Sequence, residues 1–247
     1  MRAILTYHSI DESGSPISVS RAAFGRHVRW LLSGVVRVVP LETLLQLPAD
    51  AEAVAITFDD GIENFGTVAA PMLLERGLPV TLFVVTDAAG TNNRWNGQAQ
   101  RGIPSLRLLD WPALARLGEN GVTIGSHTRT HPVLTRVDRQ VLNEEIHGSA
   151  ARIRQETGAH PRHFAYPFGQ YDDAVMREAG RVFATACTTD FRIFEDAEDP
   201  IALPRIDAFY VREEGRLEEW GTRQFRSYLR SRQRLRGLRA AIAGCFQ

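Results

Sequence analysis

Seven short runs rich in β-branched and aromatic residues recur along this chain, and their spacing limits what it can fold into more than any other feature. They lie at residues 3–7, 54–58, 80–85, 122–125, 163–166, 182–187 and 203–206. Each is short enough for a strand and is bounded by turn-forming or polar residues. Between them run segments with helical periodicity. Ser20 is placed to cap a helix carrying Phe24, Val28, Leu31 and Leu32, and Asp138 one carrying Val141, Leu142, Ile146 and Ile153. Gly34, Gly77 and Gly158 supply stop signals. Strands alternating with helices imply a parallel sheet with helices packed against it. Two α/β architectures follow, an open doubly wound sheet or a closed barrel.

A chain of 247 residues that is 44% apolar and 23% charged can enclose one large core, and α/β barrels of this length form single domains. The 29 basic and 29 acidic side chains cancel, so no overall field draws the molecule to nucleic acid. Cys187 and Cys245 are too few for a disulfide framework, and the first residues lack the length and flanks of a secretory signal. A cytoplasmic location is the resulting expectation. No apolar run reaches the roughly 20 residues of a membrane-crossing helix.

Two connections, residues 86–110 and 188–200, exceed a simple turn, and long loops in compact domains are commonly functional. The first carries a lone Trp95, whose ring suits either stacking on a sugar face or anchoring the loop. Beyond a barrel domain at 1–210, residues 211–247 read as an arginine-rich helical tail. There Arg223, Arg226, Arg230, Arg232, Arg234, Arg236 and Arg239 alternate with Phe225, Leu229, Leu235 and Leu238, and no acid follows Gly221. Such a helix either packs on the barrel or makes peripheral contact with an anionic membrane face.

Chemistry enters where strands end. The run AVAITFDDG closes on adjacent carboxylates, Asp59 and Asp60; alone, such a pair also suits a turn or helix cap. GVTIGSHTRTHP places His127 and His131 four residues apart after another strand, a spacing that brings two imidazoles to one side. Both features follow parallel strands, and in barrels the strand C-termini share the active-site face. One carboxylate and two imidazoles leave positions open for water and substrate, as in catalytic zinc sites. The same set matches the facial triad of iron(II) oxygenases. A spare carboxylate beside the metal favours hydrolysis, which needs a base.

Together TFDDG, SHTRTH and FAYPFG, with LPRI further on, resemble the polysaccharide deacetylase family, the NodB-type fold of carbohydrate esterase family four. The resemblance implies a single-domain, distorted (β/α)7 barrel of parallel strands. It implies a metal-dependent N-deacetylase acting on an N-acetylated sugar or glycan, with a divalent metal, zinc foremost. By the same resemblance Asp59 is the general base, and Asp60, His127 and His131 are the metal ligands. Phe168 supplies an oxyanion-binding N–H, and Tyr166 lines the substrate site.

Two departures from the family pattern matter. Ala165 stands where members carry an arginine that holds the base, and no histidine follows His163 to act as the general acid. A closed barrel has no first strand, so the opening stretch TYHSI can stand in for the missing final strand, as in circularly permuted members. His8 then becomes the acid, and Arg205 in LPRI the arginine that holds Asp59. His27, His147, His160 and His163 are read as structural. The chemistry implied suits envelope glycan assembly, including a lipid-linked substrate. Alternatives are a cyclic-imide or ureide hydrolase of the same superfamily, an iron(II) oxygenase, and a glycan-binding pseudoenzyme.

Overall fold

The computed structural model describes residues 1–98 and 101–244. Seven parallel strands form the ring: β1 (Arg2–Tyr7), β2 (Ala53–Phe58), β3 (Thr81–Val84), β4 (Thr123–Ser126), β5 (His163–Ala165), β6 (Thr185–Cys187) and β7 (Ile206–Asp207). Their order is β7-β1-β2-β3-β4-β5-β6. The seven strand runs of the sequence are therefore all present. Two boundaries differ by several residues: Val182 ends a helix and strand pairing begins at Thr185, and the last strand is Ile206–Asp207 rather than 203–206.

The ring closes through the segment leading into β7. Cys187 pairs in parallel with Leu203, the Leu203 N–H donates to Ala186 O at 2.8 Å, and three residues on Ile206 pairs with Leu5 of β1. The barrel is distorted on one side. There β3 meets β2 only at Thr57 and Phe58, while a short strand at Arg37–Val38 takes the lower half of β2.

Alternate residues of each strand fall into different cores, as the period of two requires. Ile4, Ala53, Ala55, Phe83, Ala165, Cys187 and Leu203 cluster together as the barrel filling. Leu5, Tyr7, Val54, Ile56, Phe58, Leu82, Val84 and Ile124 belong to the outer core against the helices. One large ring, Phe83, fills much of the interior. Gly125 beside it cannot carry a side chain, because a Cβ there would stand 2.6 Å from the Phe83 ring. Removing that ring by Phe83→Ala should cost about 3–5 kcal/mol.

The covering helices begin where their caps predict. Ser20 accepts the Ala23 N–H at the start of α1 (Arg21–Leu31), α2 spans Leu41–Gln46 and α3 Ala70–Leu74. Asp110 caps α4 (Trp111–Glu119), Asp138 caps α5 (Arg139–Asn143), and α6 (Ser149–Thr157) ends at Gly158 with φ of 72°. Asp172 caps α7 (Asp173–Val182). Leu32 and Val141, read as core-facing, are exposed; Leu32 lies just beyond the last turn of α1.

The tail helix α8 (Arg223–Gly244) starts later than the expected boundary at 211. Leu217, Trp220, Phe225 and Leu229 are buried in the same outer core as β1 and β2, so the first turns of the tail pack on the barrel. Cys245 and the side chains of Leu238 and Arg239 lie outside the described residues.

Candidate active site

Strand parity decides which side chains reach the barrel mouth. The inward rows run Ile4, Thr6 and His8; Ala53, Ala55, Thr57 and Asp59; Gly125 and His127; and Leu203, Arg205 and Asp207. The same alternation that fills the barrel thus delivers His8, Asp59, His127 and Arg205 to its C-terminal end. His8, Asp59 and His127 line a pocket of about 170 Å³ with Asp60, His131, Asn93, Trp95, Ile103, Tyr166, Phe168, Ile17 and Thr189.

Sharp backbone turns add what straight strands cannot. Asp60, Thr128, His131 and Phe168 have φ of 73°, 69°, 61° and 58°, and they are the non-glycine residues with positive φ among those described. Such conformations cost roughly 1–3 kcal/mol each and persist where surrounding structure holds them. All four fall at this one site.

Asp60, His127 and His131 are buried, and their ligand atoms lie within 4.8 Å of one another. Nε2 of His127 is 3.2 Å from Nε2 of His131, and Oδ1 of Asp60 is 3.6 and 3.8 Å from those two atoms. Ligands around one tetrahedral ion with bonds of 2.0–2.1 Å stand about 3.3 Å apart, so the donor set fits a zinc-sized cation. The His127 Nδ1–H donates to the Ala165 carbonyl at 2.7 Å, which leaves the Nε2 lone pair turned toward the other ligands. His131 is held by rings instead. Its Nδ1 is buried without a hydrogen-bond partner among the described residues, Trp95 stacks on it at 4.5 Å, and Phe168 meets it edge-on at 4.6 Å. Burial, reinforced by the charge of His127, keeps the His131 imidazole well below its usual pKa, and so in the neutral form that binds metals.

Asp59 lies beside this set in a different environment. Arg205 Nη1 and Nη2 donate to its two oxygens at 2.7 Å each, with both side chains buried. Burial alone would push the carboxyl pKa up, but the guanidinium overrides it and holds the group well below the usual carboxylate range. Arg205 is fixed in turn by donating through Nε to the Thr188 carbonyl and through Nη1 to Thr6 Oγ1. Where burial dominates instead, at Asp60, the carboxyl pKa is raised.

His8 Nε2 is 3.8 Å from Asp59 Oδ2, an ion-pair separation rather than a hydrogen bond. The acid candidate therefore stands next to the base candidate. The segment after His8 is tied to the segment after Asp60 by Asn64, which accepts the Ile10 N–H at 3.1 Å and donates to Ser9 Oγ at 2.7 Å.

Tyr166 lines the pocket as expected, and Trp95 takes the loop-anchoring alternative. The Tyr166 hydroxyl donates to the Ile201 carbonyl at 2.9 Å, so Tyr166 contributes a wall of the pocket and no free donor. Trp95 is only 8% exposed, and one ring face lies on His131. Phe168, 46% exposed, is the accessible aromatic at this mouth. The remaining histidines are elsewhere: His27 joins the Tyr7 hydroxyl to the Val211 carbonyl, and His163 joins Thr185 to Glu42.

Glu145 is a site residue that the sequence reading passed over. Its carboxylate accepts the backbone N–H groups of Arg129 and Thr130 inside the SHTRTH turn. A signal was available: Leu142, Glu145, Ile146, Ser149 and Ile153 share a buried side of their helical segment, where an unpaired acid is out of place.

A family model described as "Polysaccharide deacetylase" matches residues 46–185, more than half of the chain. YxkH of Bacillus subtilis (strain 168) is 26% identical over 209 residues, covering 82% of this chain and 70% of that one. The chitin deacetylase of Amylomyces rouxii is 28% identical over 138 residues, covering 56% of this chain but 28% of its own length. The structure of the Streptococcus pyogenes deacetylase PplD in complex with acetate superposes with a TM-score of 0.69 at 22% identity, covering 83% of this chain and 91% of that one. The barrel architecture is thus shared with a deacetylase of known structure, and by the match over residues 46–185 this chain belongs to the polysaccharide deacetylase family.

Proposed function

We propose that this protein hydrolyses the acetamide of an N-acetylated sugar or glycan, releasing acetate and a free amine, in a metal-dependent reaction. The observation that carries the reading is the contrast between two adjacent carboxylates. Asp59 is clamped in its charged form by Arg205, while Asp60 stands with two imidazole Nε2 atoms at ligand spacing. A divalent cation held by Asp60, His127 and His131, zinc foremost, would polarise the acetyl carbonyl and lower the pKa of a water.

The chain's own residues supply the proton movements. Asp59 accepts a proton from the water that attacks the amide carbon. The Phe168 N–H donates to the oxygen that gains charge as the carbon becomes tetrahedral. His8 donates a proton to the leaving nitrogen as the C–N bond breaks. Its position 3.8 Å from Asp59 supports a short return path for that proton.

The relative named for chitin supports a glycan of N-acetylated sugars as the substrate class. A finer reading concerns where that glycan resides. Arg223, Arg226, Arg230 and Arg234 are exposed and recur every three or four residues, on one side of α8. This supports contact with an anionic membrane face and a lipid-linked substrate. None of the described helices is long and apolar enough to cross a membrane, so such contact is peripheral.

The test is acetate release from a panel of N-acetyl sugars, chitooligosaccharides and lipid-linked N-acetyl sugars, before and after chelation. Cyclic imides and ureides belong in the same panel, with dioxygen uptake recorded. Turnover confined to an imide, or dioxygen consumption, would overturn the deacetylase reading.

A further inference from the structure

Glu145 is a buried carboxylate, 5% exposed, that no proton transfer above employs. It sits in a π turn, Glu144–Gly148, between α5 and α6, and such turns recur at functional sites. Its Oε2 accepts the N–H groups of Arg129 and Thr130 at 2.8 and 2.9 Å, and its Oε1 accepts the Thr130 hydroxyl at 2.6 Å. Hydrogen bonds to an ionised acceptor are the strong ones. Three of them converge on the middle of the span between His127 and His131.

That span is under strain at both ends. Thr128, a β-branched residue, has φ of 69°, and His131 has φ of 61°. The opposite edge of the turn is fastened by strand-end backbone: Thr86 and Asp87 donate to the carbonyls of Thr128 and Arg129 at 3.1 and 2.9 Å. Across the turn, the His131 N–H donates to Thr128 Oγ1 at 3.0 Å. Glu145 therefore closes a clamp whose other jaw is the backbone of Thr86 and Asp87, in the turn just past β3. Among the described residues His131 Nδ1 has no hydrogen-bond partner to orient its ring, so the backbone path of this turn matters more to it than to His127.

We propose that Glu145 is a positioning residue for the metal site: by holding the Arg129 and Thr130 N–H groups it sets the turn that brings His131 Nε2 to 3.2 Å from His127 Nε2. The inference rests on the assignment of Asp60, His127 and His131 as ligands. Partners that orient ligands typically change metal affinity by about 10- to 100-fold when removed.

The experiment measures zinc affinity of the purified protein by competition with a chromogenic chelator, zinc being the only probe. Glu145→Asp withdraws the carboxylate by one methylene and should weaken zinc binding by about 10- to 100-fold, whereas Glu145→Gln keeps the reach and an acceptor oxygen and should stay within about threefold of the parent. Leu142→Ala, which removes a side chain packed in the cluster of Leu134, Ile146 and Phe164, destabilises the same segment without touching the turn. It should leave zinc affinity unchanged. The proposal is overturned by a Glu145→Asp protein that binds zinc as the parent does. It is equally overturned if Glu145→Gln fails as badly as Glu145→Asp, if Leu142→Ala weakens zinc to the same degree, or if Glu145→Asp does not fold at all. A parent protein that takes up no zinc refutes the ligand assignment instead, which is a separate failure.

Discussion

Arg205 and Asp59 lie 146 positions apart in the chain and meet in a two-point ion pair, Nη1 to Oδ1 and Nη2 to Oδ2, at 2.7 Å each. Burying such a pair is weak evidence for stability, because desolvation offsets much of the attraction. Its effect here is on charge and aim: the carboxylate stays ionised and points where the strand end directs it. Lysine cannot replace the arginine, since it lacks the fork that grips both oxygens and the Nε–H that reaches Thr188.

Arg205→Lys should therefore lower kcat by about 10- to 100-fold while the protein still binds metal. The sign of its pH effect follows from the balance at Asp59. Burial pushes that carboxyl pKa up and Arg205 pulls it down, so weakening the pull raises it. The acid limb of the rate profile should move to higher pH in the variant. A limb that stays in place would show that Asp59 is not the group whose ionisation the rate requires.

The two carboxylates of the DDG turn should separate under mutation. Asp60→Ala, His127→Ala and His131→Ala should each lose bound zinc, measured by elemental analysis after dialysis. Asp59→Asn should keep zinc and lose turnover. Zinc at a hundredfold excess over its Kd should stabilise the parent by about 2.7 kcal/mol, seen as a rise in thermal midpoint that the Asp60→Ala protein lacks. Equal metal loss in Asp59→Asn and Asp60→Ala would refute this division of labour.

Much of this site was legible because strand periodicity carries it. Once residues 54–58 and 3–7 are strands, parity alone puts Asp59 and His8 on the same side as Ala55 and Ile4, and LPRI puts Arg205 on the inward row with Leu203. What parity cannot report is what happens past the strand end. The positive φ at Asp60, Thr128 and His131, the rotation of Trp95 onto His131 and the turning of the Tyr166 hydroxyl to Ile201 depend on contacts between loops. For the same reason parity does not report that His8 Nε2 stands 3.8 Å from Asp59 Oδ2. Glu145 betrays itself only by an acid on the apolar side of its helical segment, and nothing in the pattern names its partners, two backbone N–H groups and the Thr130 hydroxyl.

His27 gives a pH prediction away from the catalytic groups. A carbonyl only accepts, so Nε2–H donates to Val211 O at 3.1 Å, and Nδ1 accepts from the Tyr7 hydroxyl at 2.9 Å. Burial lowers the imidazole pKa from 6.5 to about 4. Between those values the unfolded chain binds the proton that the folded one refuses, so stability rises with pH across that window and is lost as pH falls through it. At about 1.4 kcal/mol per pH unit the whole window is worth about 3 kcal/mol. Urea unfolding at pH 7 and pH 4.5 should show a steeper loss for the parent than for His27→Gln. Equal slopes would mean that His27 is not the neutral buried group described.

Membrane contact through α8 is tested without deleting the helix, because Phe225 and Leu229 belong to the core. Replacing Arg223, Arg226, Arg230 and Arg234 with glutamate reverses the exposed row and leaves that packing alone. Each basic side chain near an anionic surface is worth about 1 kcal/mol. The parent should therefore sediment with anionic vesicles far more than with neutral ones, and the fourfold variant should not. Equal sedimentation of the parent with both kinds of vesicle would dispose of the idea.

His8 is where sequence and geometry together make the sharpest claim about chemistry. Collapse of the tetrahedral intermediate must expel a nitrogen, and an amine leaves poorly unless it is protonated. His8, at the end of β1 and 22% exposed in its side chain, is placed to give that proton without being sealed from the substrate. General acids of this kind contribute about 10²- to 10⁴-fold, so His8→Ala should lower kcat for an N-acetyl substrate by that order, with zinc content unchanged. An acetyl ester of a good leaving group needs no such proton, and on that substrate the penalty should shrink toward none. Should His8→Ala instead lose amide and ester turnover equally, the histidine is acting through its neighbour Asp59, and the proton for the amine must come from water.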